Sequence, residues 1–246
     1  MLDLFREAPH RRWNPLKREW VLVSPNRTER PWLGQMEQAV VPVQAAYDST
    51  CYLSPGNVRA GGNVMPQYTE TYVFDNDFSA LLDTSAAESM DVYGAGLLRA
   101  TTERGVCRVI CFSPRHDVTL ATMKVQAVCG VVDVWAQQEQ ELGSRDEIGY
   151  VQIFENRGAI MGASNPHPHG QVWATQHLPN EAAMELAAQT DYFHLHGRAL
   201  LSDHLALELR EGERIVAENE SWVAVVPFWA VWPFEVCCCR VKWCRG

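Results

Sequence analysis

The sequence predicts an α+β fold, a mostly antiparallel sheet with a few helices on one face. That expectation rests on short runs rich in β-branched and aromatic residues, at 72–75, 106–112, 150–155 and 170–175. It also rests on one long stretch, 123–142, whose apolar residues recur at helical spacing, and on two further helical stretches after residue 180. No internal repeat and no low-complexity linker interrupts this order.

The elements follow from local chemistry. Asn14-Pro15 is a turn signal and 20–23 is a strand; 40–43 is a weaker strand candidate. Pro55-Gly56 and Gly61-Gly62 mark turns, and 72–75 is a short aromatic strand. Residues 79–104 are small and polar without a clear period, which predicts a loop with helical turns. A buried strand is expected at 106–112. The helix at 123–142 carries Val125, Val128, Val132 and Trp135 along one stripe, and Gly143 ends it. Strands are expected at 150–155 and 170–175. Asn180 can cap a helix reaching about Phe193, and 200–211 is a second helix stopped by Gly212. The last strands are 214–217 and 222–227.

A chain of 246 residues is long enough to bury one good core, in one domain or two. Hydrophobic residues at 47% and charged residues at 21% are ordinary for a globular protein. No stretch has the apolar length of a membrane span, and Asp3, Arg6 and Glu7 do not suit a signal peptide, so a cytoplasmic location is expected. The net charge of −9 argues against nucleic-acid binding, which needs a basic face. It does not exclude a small anionic substrate. Arg11, Arg12, Arg27 and Arg30 form a basic N-terminal group suited either to phosphate or to a solvated surface. Cys51, Cys107, Cys111 and Cys129 are dispersed, whereas Cys237, Cys238, Cys239 and Cys244 crowd the C-terminus without C-x-x-C spacing.

The chemistry concentrates in His167-Pro168-His169-Gly170-Gln171, just after the small-residue loop Gly162-Ala163-Ser164-Asn165-Pro166. In an extended segment, residues at every second position share one face. A neutral imidazole on a stiff strand is a good nucleophile toward phosphorus, and backbone N–H groups of a small loop can hold phosphate oxygens. A lone His-x-His pair serves equally as a surface or metal-binding pair.

Together with Phe154-Glu155-Asn156-Arg157-Gly158 and Gly162, this motif resembles the active-site signature of the galactose-1-phosphate uridylyltransferases, within the histidine-triad group. The resemblance extends over His10-Arg11-Arg12-Trp13-Asn14-Pro15-Leu16 and Trp20-Val21-Leu22-Val23-Ser24-Pro25. It continues through Arg30-Pro31-Trp32-Leu33-Gly34, 72–78 and 109–114 to Trp232-Pro233-Phe234-Glu235. It implies a histidine-triad-like half of a uridylyltransferase at 1–235, followed by a divergent Cys-rich tail at 236–246, where family members continue into a second half. The tail reads as foreign sequence.

The resemblance implies transfer of UMP from UDP-glucose to galactose 1-phosphate, giving UDP-galactose and glucose 1-phosphate, in a homodimer. His169 is implied as the nucleophile, its second ring nitrogen bonded to a nearby backbone carbonyl. Histidine-triad hydrolases carry a third His where Gln171 stands. An amide cannot titrate and suits an intermediate that waits for a sugar phosphate. Ser164 and the amides of Gly162 and Ala163 are implied to contact the phosphates, although Ala163 replaces the family's usual Cys. Asn156 is implied to contact the nucleotide, Asn76 and Asp77 to hold the ribose, and Leu53 and Ala60 to lie against the uracil. Arg27 and Arg30 are implied to reach phosphate across the dimer interface. A structural zinc site is implied at Cys51, Ser54, His116 and His167, with Ser54 departing from the family's thiolate. Glu185 matches the glutamate of a second metal site whose partner histidines are missing, so no such site is expected. His194, His196 and His204 are expected as solvated helix residues. An inactive chain that still binds uridine nucleotide, or a full-length partner, competes with the active enzyme. A nucleotide hydrolase is disfavoured by Gln171.

Overall fold

The computed structural model describes residues 5, 7–29, 44–84 and 88–241. Arg30 and the weak strand expected at 40–43 lie outside these residues. In chain order the strands are β1 (His10–Asn14), β2 (Glu19–Val23), β3 (Tyr72–Asp75), β4 (Ser89–Asp91), β5 (Arg99–Thr101) and β6 (Gly105–Cys111). They continue with β7 (Tyr150–Phe154), β8 (His169–Thr175), β9 (Ile215–Glu218), β10 (Trp222–Val225) and β11 (Cys237–Arg240). The helices are α1 (Val125–Gly143), α2 (Asn180–His196) and α3 (Leu200–Glu211). The chain forms two units, 38–179 and 1–37 with 180–246.

The first of these is a four-stranded antiparallel sheet in the order β3-β6-β8-β7, with α1 packed on one face. Strand alternation sorts β6 and β8 into two layers. Ile110, Val172 and Ala174 join Phe112, Val131, Leu142 and Ile148 in the core under α1. Val109 and Cys111 point the other way, against Cys51, Leu53, Met65 and Tyr68. Arg108 ties the helix to the sheet, donating to Asp75 (3.1 Å), Gln138 (2.6 Å) and Glu141 (2.8 Å).

The buried stripe of α1 is Val131, Gln138 and Leu142, with Val134 and Trp135 alongside. The stripe expected from the valines differs: Val125 is 80% and Val132 47% exposed. Valine spacing alone could not choose between adjacent faces, because apolar residues surround this part of the helix. The expected loop at 79–104 contains the β4-β5 hairpin, in register Ser89↔Thr101 to Asp91↔Arg99. All six of its residues are exposed, so no apolar alternation marks it.

In the other unit, β1 and β2 form a hairpin whose turn is closed by the Asn14 side chain, which accepts from the amides of Leu16 and Lys17. A second antiparallel sheet has the order β11-β10-β9. The boundary expected near 235 falls inside this unit, and the Cys-rich segment supplies its edge strand. α3 ends at Gly212, whose φ of +70° only glycine adopts freely and whose amide caps Glu208. Glu208 is buried and paired with Arg214 at 2.7 Å. His204 is not the solvated residue expected. It packs on Trp229 at 4.5 Å, one helical turn from Glu208.

Gly170 is the tightest point of β8 for function: a Cβ there would come within 2.8 Å of the Phe112 ring and 2.9 Å of the Phe154 carbonyl. Gly170→Ala should lower stability by about 1–3 kcal/mol through overpacking, read as a fall in the urea midpoint at unchanged slope. An unshifted midpoint would show that the two layers have room to separate.

Candidate active site

β8 begins at His169, paired with Cys111 of β6, and Gln171 lies between Val109 and Phe154. His169 and Gln171 therefore point to the face away from α1, while Gly170 and Val172 face the helix. His167 precedes the strand and takes a separate place, fully buried. A cavity of about 240 Å³ opens on the His169 face. Its wall includes Leu53, Ala60, Asn76, Asp77, Ser164, His169 and Gln171, gathered from segments far apart in sequence.

His169 Nδ1 lies 2.7 Å from the His167 carbonyl. A carbonyl oxygen only accepts, so Nδ1 carries the proton and Nε2 of the neutral ring keeps its lone pair. Gln171 Oε1 accepts the Trp173 indole N–H at 3.2 Å, which orients the amide and leaves its NH₂ as a donor. Burial pushes the neighbouring Glu155 carboxyl upward, opposed by Arg157 and His169.

Other expected residues are arranged less simply. The loop after β7 turns through Gly158 (φ +86°) and Gly162 (φ +81°). Within it the Gly162 amide donates to Ala159 and the Ala163 amide to Gly158, so neither is the free phosphate donor expected. The reason is the short helical turn at 159–161, which consumes both N–H groups. Asn156 is exposed just beyond β7 and is not part of the cavity wall. Asp77 accepts from Arg59 at 2.9 Å and from the Gly61 amide at 3.1 Å, so both carboxylate oxygens are engaged. Arg59 also lies over the Phe74 ring at 4.4 Å. Arg59, Tyr52, Phe74 and Phe78 line the cavity and were not expected. Each carried a sequence signal: Tyr52, Arg59 and Phe78 adjoin Leu53, Ala60 and Asp77, and Phe74 and Phe78 lie in the 72–78 segment. Arg27 is exposed in the other unit.

Cys51, His116 and His167 converge: one ligand atom from each lies within 4.8 Å of the others, and all three residues are buried. His167 Nε2 faces the Ser113 carbonyl at 2.9 Å and the Tyr68 hydroxyl at 3.0 Å. Tyr68 donates to the Leu53 carbonyl, so its oxygen accepts from His167. Nε2 thus bears the proton and Nδ1 bears a lone pair, 3.3 Å from His116 Nδ1. Burial, then His116, pushes His167 down to about 4, so the ring is neutral at neutral pH. His116 Nε2 lies 4.0 Å from the Asp48 carboxylate, beyond hydrogen-bond reach. The Leu53 amide donates to Cys51 Sγ at 3.4 Å. A tetrahedral ion about 2.0–2.1 Å from two nitrogens holds them about 3.3–3.4 Å apart, which matches this pair. Ser54 is fully buried, its hydroxyl oxygen without a hydrogen-bond partner. The donor set therefore fits a metal ion. Glu185, on α2, belongs to no group of three ligand residues among the described residues.

Comparison with known proteins agrees with this geometry. Residues 3–179 match the galactose-1-phosphate uridyl transferase N-terminal domain, and 185–243 match the C-terminal domain of the same enzymes. The chain is 51% identical over 230 residues to a galactose-1-phosphate uridylyltransferase of Haemophilus influenzae, covering 93% of this chain and 64% of the relative. It is 45% identical over 241 residues to that of Saccharomyces cerevisiae, covering 94% and 66%. It thus spans about two thirds of their length. Among solved structures, an ADP-glucose phosphorylase from Arabidopsis thaliana with bound ADP-glucose shares the fold. Its TM-score is 0.70 at 22% identity, over 96% of this chain and 69% of that one. With the histidine motif, the cavity and these matches in agreement, the chain belongs to the galactose-1-phosphate uridylyltransferase family.

Proposed function

We propose that the chain performs uridylyl transfer between UDP-glucose and galactose 1-phosphate, with His169 as the group that carries UMP. The observation that supports this most is the 2.7 Å contact of His169 Nδ1 with the His167 carbonyl, beside a cavity of nucleoside dimensions. That contact leaves Nε2 as the nucleophile. Nε2 bonds to the α-phosphorus of UDP-glucose as the bond to glucose 1-phosphate breaks. The proton stays on Nδ1, which keeps donating to the His167 carbonyl, and that carbonyl offsets the positive charge developing on the ring. A phosphate oxygen of galactose 1-phosphate then attacks the same phosphorus, breaks the N–P bond and leaves as UDP-galactose. The Gln171 amide can donate to a phosphate oxygen but cannot take a proton from water.

Leu53 and Ala60 are assigned to the uracil, Asn76 and Asp77 to the ribose, and Ser164 to phosphate. For Asp77 this requires sharing its carboxylate with Arg59 and Gly61. Asn156 and the amides of Gly162 and Ala163 serve only if the loop rearranges on binding. Arg27 and Arg30 are assigned to phosphate across a homodimer interface. Cys51, His116 and His167 would hold zinc, with the Ser54 oxygen as a weak fourth donor. Zinc there would supply structural cross-linking near His169 and no step of the transfer.

Incubation with UDP-glucose labelled in the α-phosphate should place acid-labile label on the chain. His169→Ala should abolish it, lowering transfer by about 10⁴-fold or more. Binding without label would favour the nucleotide-binding reading, and steady UMP release without sugar phosphate the hydrolase.

Zinc analysis gives a second expectation. The purified chain should hold zinc, His167→Ala should lose it, and Ser54→Cys should retain it against more chelator. Stripping the metal should also lower the melting temperature. Equal zinc content in all three proteins would remove the assignment.

A further inference from the structure

Among the described residues β11 is the edge strand of its sheet, paired on one side with β10. Cys237 lies opposite Val225 and Cys239 opposite Val223, and both valines are buried. Partners across an antiparallel ladder point to one face. Cys237 and Cys239 therefore share the inner face of the strand, half-buried, while Cys238 is exposed on the other. The two inner sulfurs are 3.5 Å apart and unbonded.

We propose that Cys237 and Cys239 form a redox modification site, a dithiol that a low-molecular-weight disulfide of the glutathione class converts to an intrastrand bond. Two residues of extended chain span about 6.6–6.8 Å. That lies at the upper end of the Cα separations of about 4.4–6.8 Å that a disulfide accepts. The Cβ atoms of such a pair must also approach to about 3.5–4.5 Å, so the bond closes only as β11 bends locally out of its extended form, and it is strained, hence easily reduced. An edge strand can bend because only one side is held by a neighbour. Metal capture by the same pair is the weaker reading: among the described residues no third ligand joins them.

The chemistry balances. The Cys237 thiolate attacks one sulfur of oxidised glutathione, forming a mixed disulfide and releasing one glutathione thiolate. Cys239 then loses its proton and attacks Cys237 Sγ, expelling the second. The chain gives up two electrons and two protons, and two reduced glutathiones result. Burial and the neighbouring Cys237 push the Cys239 thiol up to about 11, so ring closure quickens in mild alkali.

The test is to treat the chain with oxidised glutathione at mildly alkaline pH, alkylate the remaining thiols, and map peptides by mass. The peptide containing 237–239 should lose two hydrogens and carry one alkyl group, on Cys238. Dithiothreitol should reverse the change. Cys238→Ser should still close the bond, whereas Cys237→Ser and Cys239→Ser should stop at a glutathione adduct. A bond using Cys238 or Cys244, a lasting adduct on the unaltered chain, or oxidation at exposed Cys129 alone would overturn the proposal.

Discussion

The two-sided character of β8 governs the rest of the site. Its even-numbered residues, Gly170, Val172 and Ala174, press into the layer beneath α1, and its odd-numbered residues, His169 and Gln171, turn to the cavity. Pairing on both edges, with β6 and β7, holds this alternation in place. A slip of one residue would bury the imidazole against α1 and expose the valine, so the apolar core fixes the direction in which His169 points. Gly170 lets the layers close at that point, because any side chain there would meet both Phe112 and the Phe154 carbonyl.

His167 links the candidate nucleophile to the rest of its unit. Its carbonyl sets the tautomer of His169, while its own ring is held by Ser113 and Tyr68 and presents Nδ1 to His116. A carbonyl and a side chain of one buried residue thus connect the His169 imidazole to the cysteine-histidine cluster. Whatever rigidifies that cluster also limits the wandering of the His169 ring. This is a reason for a metal-capable group to sit beside the candidate nucleophile.

Much of this was readable in the chain. The strands at 72–75, 106–112, 150–155 and 170–175 carry strong β-branched or aromatic patterns, and they are the strands that build the sheet. The hairpin at 89–101 was not readable, since neither strand has a buried face to leave a period. Likewise the valines of α1 suggested the wrong stripe, because the identity of the buried face depends on what the sheet offers it. In the site, Cys51, His116, His167, His169 and Gln171 carry residue types whose chemistry is distinctive. Arg59 and Tyr68 are ordinary residues that matter through where they lie.

The sequence by itself determined the candidate groups and their spacing: a histidine, a glycine and an amide on consecutive positions of a segment with strand propensity. Local covalent order suffices for that, because side-chain direction in a strand follows from its period of two. Only the tertiary structure decided which nitrogen of His169 is free, that the Gly162 and Ala163 amides are engaged within their own turn, and that Asp77 is bound to Arg59. Each of these depends on hydrogen bonds whose partners are chosen by packing and local backbone geometry, which residue type and spacing alone do not specify.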